Sequence, residues 1–214
     1  HIATGRPSRR RREPTGRDHR HLARLDRTQD GRRCRNGRPH GPQDNTPSCE
    51  QHVRSFRDGE RVVLEPFRSQ AFPVIRDLIV DRSALDRVIQ AGGHVAVDAG
   101  TAPDADVMPV NFETAELALD FAACIGCGAC VAACPNGAAH LFTGAKLAHL
   151  ALLPQGKAER GTRAVAMIDQ VEQEFGPCST YGECAVVCPA GIPLTAIATI
   201  NKERMRSVFR RKAN

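Results

Sequence analysis

From Glu113 onward, apolar positions recur at the three-to-four-residue spacing of helices with one buried face. This pattern predicts helices at 113–123, 142–153, 158–175 and 193–207. Pro154, Pro177 and Pro193 punctuate them, and cysteine-bearing loops lie between. Upstream the rhythm changes. Asn36-Gly37 is a hairpin-turn pair. Arg61 to Glu65, following the Asp58-Gly59 turn, reads as a short strand. Phe72 to Val80, with Pro73 near its head, reads as a buried strand or connector. Ser83 is placed to cap a helix from Ala84 to Gln90 that Gly92-Gly93 stops. Residues 98–110, rich in Pro, Ala and Asp, read as a linker. The first 35 residues carry no such pattern, with Ile2, Leu22 and Leu25 as their only large aliphatics.

Charge sharpens that contrast. The net charge of +6 is not spread along the chain: residues 1–35 hold twelve Arg and four acids, while the rest holds 18 bases and 20 acids. A nucleic-acid arm around Arg9 to Arg12 and an Arg-rich leader both fit poorly, because the stretch has no Lys and no amphipathic period. So little apolar surface cannot offset the entropy of ordering. Residues 1–35 are therefore expected to be a disordered or mistranslated segment, such as a GC-rich gene gives when read out of frame. At 214 residues the chain suffices for one or two domains. Its best apolar stretch, Leu141 to Leu153, is too short for a membrane span and carries Lys146 and His149.

Seven of the nine cysteines fall in two mirrored runs. The first is Cys124-x2-Cys127-x2-Cys130-x3-Cys134-Pro135. It matches the bacterial iron–sulfur ligand run, whose fourth cysteine ligates the other cluster. The second is Cys178-x5-Cys184-x3-Cys188-Pro189, with Tyr181 where a fourth thiolate is due. Crossing the last cysteine of each run assigns Cys124, Cys127, Cys130 and Cys188 to one [4Fe–4S] cluster. Cys134, Cys178 and Cys184 remain for a second, and three thiolates fit [3Fe–4S]. Gly126 and Gly128 let the backbone pass close to the cluster. Zinc prefers two separated pairs, so the spacing disfavours it. Haem c would need His after the second cysteine of a pair, and Gly128 and Val131 stand there instead. No secreted, disulfide-framework character accompanies the cysteines.

Three stretches now carry a resemblance. They are Asn36-Gly37-Arg38-Pro39-His40-Gly41-Pro42, then Phe72 to Asp81 (Phe-Pro-Val-Ile-Arg-Asp-Leu-Ile-Val-Asp), then the two cysteine runs with Gly191-Ile192-Pro193. Together they resemble the iron–sulfur subunit of succinate dehydrogenase and fumarate reductase over roughly residues 36–210. The resemblance implies an α+β protein: a partial β-grasp, plant-type ferredoxin-like N-terminal domain, then an all-α bacterial-ferredoxin-like domain. On that basis 36–82 is the remnant of the first, 83–112 a connecting helix and linker, and 113–214 the helical domain. It further implies [2Fe–2S], [4Fe–4S] and [3Fe–4S] clusters in a row. Electrons would pass from a flavoprotein (FAD) subunit to quinone at a membrane-anchor subunit. The chain would be a peripheral membrane protein, held at the cytoplasmic face of the inner membrane through its partners.

The resemblance breaks at the first cluster. Cys49 matches the last [2Fe–2S] ligand, but the expected upstream trio falls on Ala23, Thr28 and Gly31, and Cys34 fits no ligand position. As written, the chain is expected not to bind [2Fe–2S]. Cys49-x2-His52 lacks the other half of a Rieske site. The family's quinone pocket maps to Pro135, Ser179 and Tyr181, with Ala138 and Ala139 where some members carry Trp; the alternative reading has Tyr181 simply pack over the cluster. No acid/base pair or nucleophile motif stands out, so the chain reads as the electron-transfer part of an enzyme without a substrate site of its own. The alternatives are a soluble two-cluster ferredoxin-type carrier and the iron–sulfur subunit of another flavoenzyme, of the glycolate-oxidase or heterodisulfide-reductase type. The first needs no Asn36–Asp81 segment, and the second usually keeps both cysteine runs complete.

Overall fold

The structure, a computed structural model, describes residues 23–27, 58–59, 62–67, 69–96 and 110–212. The expectations about Cys34, Asn36 to Pro42, Cys49 and His52 lie outside those residues. So does most of 1–35 and nearly all of the 98–110 linker.

The described chain is mostly helical with two small antiparallel ladders, an α+β composition. Strand β1 (Ala23–Arg27) pairs with β2 (Val62–Pro66), Leu25 opposite Leu64. The Arg-rich segment thus contributes a strand, and β2 lies one residue beyond the expected 61–65. The 72–80 run is not one buried strand but a hairpin, β3 (Val74–Arg76) against β4 (Ile79–Val80). Asp77 turns it with φ 51°, a left-handed conformation that Asp tolerates. Only the ends of this run are buried. Phe72 and Val80 are 1% exposed, whereas Val74 and Ile75 face solvent. Phe72 meets Phe175 edge-on at 6.1 Å and so fixes the hairpin to the helical body.

Helix α1 (Ser83–Gln90) follows. Its cap is not Ser83. Asp81 Oδ1 accepts the Ser83 N–H at 2.8 Å, and Ser83 Oγ accepts from Arg87 Nη1. Arg87 then donates twice to Glu174, tying α1 to α5 (Arg160–Phe175). A second clamp is buried. Arg163 on α5 donates to the carbonyls of Gly92, Gly156 and His94, at 2.8, 2.8 and 2.9 Å, and to Glu159.

The helical body is built round α4 (His140–Leu152), which packs on α2 (Phe112–Ala122), α5 and α7 (Thr195–Lys212). Asn111 caps α2 by accepting the Thr114 N–H at 3.1 Å. Helix α4 starts two residues before the expected 142, and α7 starts at 195 rather than 193 because Pro193 precedes it. No described helix is long and apolar enough to cross a membrane.

Gly144 sets the close approach of α4 to α7. A Cβ there would clash with the Ala196 carbonyl oxygen of α7. The obstacle is backbone, so no rotamer change relieves it. Gly144→Ala gains about 1 kcal/mol of helix propensity and loses about 3 kcal/mol to overpacking. The variant is expected to unfold with a net loss of about 2 kcal/mol, measured by thermal or urea melts; an unchanged melt would show that α4 and α7 can move apart freely.

Candidate metal centre

The two cysteine runs fold as two copies of one backbone motif. In the first, Gly126, Gly128 and Gly137 have φ of 63°, 84° and 65°. At the same offsets in the second run stand Thr180, Gly182 and Gly191, with φ of 55°, 88° and 63°. Each run places a left-handed glycine immediately before a one-turn helix: Gly128 before α3 (Ala129–Ala133) and Gly182 before α6 (Glu183–Val186). The two short helices pack on each other. Sequence inspection foresaw close backbone approach at Gly126 and Gly128. The structure adds that both occupy a conformation L-residues rarely adopt.

This repeat gathers the cysteines around two hollows. One is lined by Cys124, Cys127, Cys130 and Cys188, with Gly126, Phe142 and Ile192 among its walls. The other is lined by Cys134, Cys178 and Cys184, with Pro135, His140 and Tyr181. Each hollow therefore takes cysteines from both runs. Leu141 of α4 lines both and stands between them. Among the described residues no three His, Cys, Asp or Glu side chains close on a single ion-sized point. The thiols are spread around the hollows instead.

The electrostatics suit bound cations. Burial pushes the Cys124, Cys127 and Cys184 thiols up and the Cys130 thiol well up, and the neighbouring cysteines add to the rise. Backbone N–H groups oppose it: those of Gly126, Ala129 and Ala185 bond to Cys124, Cys127 and Cys184. The Thr180 N–H reaches Cys178 Sγ at 3.3 Å and the Ile192 N–H reaches Cys188 Sγ at 3.4 Å. Thiolate donors, N–H groups aimed at sulfur and apolar walls are what an iron–sulfur cluster requires, so the residues fit such a group.

Two of the three residues expected near quinone meet at the second hollow. Pro135 and Tyr181 line it, and Tyr181 is 63% exposed at its rim. Ser179 does not line it; its hydroxyl accepts from Asn136 Nδ2. Sequence reasoning missed His140, which is 5% exposed in the wall of this hollow. Its Nδ1 has no hydrogen-bond partner among the described residues, and burial keeps the imidazole neutral by lowering its pKa. A lone His on an apolar helix face gave no signal.

Known proteins share these features. Residues 123–192 match the family model described as a 4Fe-4S dicluster domain. The chain is 32% identical over 154 residues to the succinate dehydrogenase iron-sulfur subunit of Bacillus subtilis (strain 168), covering 69% of this chain and 59% of that protein. It is 29% identical over 166 residues to the fumarate reductase iron-sulfur subunit of Escherichia coli O157:H7, covering 70% and 61%. It therefore spans about six-tenths of the length of these curated relatives. The solved Mycobacterium smegmatis Sdh1 complex in the apo form contains a chain similar at a TM-score of 0.48 and 22% identity, over 78% of this chain and 70% of that one.

Thr180 is the strained member of the repeat, a β-branched residue where the first run has Gly126. Replacing it with glycine removes about 1–2 kcal/mol of left-handed strain and adds about 0.5 kcal/mol of unfolded-chain entropy. Thr180→Gly is expected to stabilise by about 1 kcal/mol, whereas Gly128→Ala is expected to destabilise by about 1–2 kcal/mol. Thermal melts of the anaerobic protein check both; a destabilised Thr180→Gly would mean the threonine side chain has a compensating role.

Proposed function

We propose that this chain, a homologue of the iron–sulfur subunits of succinate dehydrogenase and fumarate reductase, is the electron-transfer subunit of a succinate:quinone or fumarate:quinol oxidoreductase. The observation that carries the reading is the pair of hollows, each lined by cysteines from both runs and separated by Leu141. Two one-electron sites side by side make a wire, not a substrate site. Cys124, Cys127, Cys130 and Cys188 are the ligands of a [4Fe–4S] cluster; Cys134, Cys178 and Cys184 are those of a [3Fe–4S] cluster. The clusters, when bound, supply reversible one-electron storage. The chain's own residues hold them, keep water from them and direct N–H groups at their sulfurs.

The two ends of the wire differ. The first site is walled by Phe142, Ile192 and glycine backbone. The second opens beside exposed Tyr181, where Pro135 and Tyr181 are the groups we assign to quinone. Electrons enter from a flavoprotein subunit on the first side and leave to quinone at a membrane-anchor subunit on the second. The chain is a peripheral membrane protein held by those partners. On the same reading 113–214 is the helical ferredoxin domain, 83–112 a connector and 36–82 part of a β-grasp domain. The [2Fe–2S] ligand set of the family is reduced to Cys49.

Two measurements test this reading. Anaerobically purified with its partner subunits, the protein is expected to show cluster signals that succinate reduces; signals that respond only to a strong chemical reductant would contradict it. Tyr181→Cys supplies a thiolate at the vacant ligand position of the second run. It is expected to convert the oxidised [3Fe–4S] EPR signal towards [4Fe–4S], and an unchanged signal would break the ligand assignment.

A further inference from the structure

Arg82 has no part in the assignments above. It stands between β4 and α1 and is 8% exposed. Its guanidinium reaches the first cysteine loop: Nη2 lies 3.6 Å from the point a Cβ on Gly126 would occupy. Gly126 lines the first hollow and gives its N–H to Cys124. A permanently charged group thus stands beside the loop that wraps the sulfur site. A cubane core with four thiolates is a dianion, and reduction adds one further negative charge.

Resting on the ligand set proposed above, we propose that Arg82 is a positioning residue of the first site: it backs the Gly126 turn and raises the reduction potential of the cluster held by Cys124, Cys127, Cys130 and Cys188. A fixed cation at short range, poorly screened by solvent, favours the more negative reduced form. Lys146 is the cation that lowers the Cys124 pKa, but it is half-exposed and solvent weakens it. The charges acting on Cys184 at the second site are those of Cys134 and Cys178. Arg82 therefore adds to the difference in potential between a four-thiolate and a three-thiolate site.

The test is an EPR-monitored redox titration of the full chain, purified anaerobically, with the second cluster as internal reference. Arg82→Gln is expected to lower the first midpoint by at least a tenfold change in its reduction equilibrium, about 59 mV for one electron. The second midpoint is expected to stay in place, Arg82→Lys to remain near the wild type, and Lys146→Gln to shift less than Arg82→Gln. An Arg82→Gln protein with wild-type iron and sulfide and an unmoved first midpoint would overturn the inference, as would an equal shift of both midpoints. If Arg82→Gln does not retain the first cluster, Arg82→Met, which keeps the length and loses the charge, decides: a tenfold drop supports the inference and an unmoved midpoint overturns it. Wild-type chain devoid of iron and sulfide would instead overturn the functional reading on which the inference rests.

Discussion

Burial disfavours a thiolate unless a cation meets it, and that constraint governs the cysteines gathered around the two hollows. It pushes the Cys124, Cys127 and Cys184 thiols up and the Cys130 thiol well up, and each neighbouring cysteine would add repulsion if it ionised. With iron bound, the same burial strengthens every sulfur–iron and N–H–sulfur contact. Loading must release protons, and its free energy becomes folding free energy. The tight loops, the left-handed glycines and the crossing of the two runs all serve that one exchange.

The helical body holds those loops in register. Leu141 separates the two hollows, and Gly144, three residues on, lets α4 lie directly against α7. Arg163 fixes the chain after α1 to α5, and the Phe72–Phe175 contact fixes the hairpin before it. The segment that carries Arg82 is therefore anchored at both ends, which is why its guanidinium can sit at a defined place beside Gly126.

Much of this was legible in the sequence, for identifiable reasons. The cysteine spacing is a geometric code, so the membership of the two runs could be read before any fold was known. The long helices were legible because α2, α4, α5 and α7 keep their apolar period and each follows a proline. Their edges were not: α4 begins at His140 without a capping side chain, so nothing marks its start. The 72–80 hairpin was misread because exposed Val74 and Ile75 have the composition of a core strand. Helices α3 and α6 are single turns, too short for any periodicity. Thr180, Arg82 and His140 were invisible because their roles depend on φ or on neighbours distant in sequence. The match to a 4Fe-4S dicluster domain agrees with what the spacing implied about iron and sulfur.

The central claim is that each hollow is completed by a cysteine from the other run. Cys188→Ser tests it most directly, because Cys188 lies 54 positions beyond Cys134 and yet lines the first hollow. Iron and sulfide analysis with EPR of the anaerobic variant is expected to show damage to the cluster of Cys124, Cys127 and Cys130, with the [3Fe–4S] signal retained. Selective loss of the [3Fe–4S] signal, with the other cluster intact, would contradict the account.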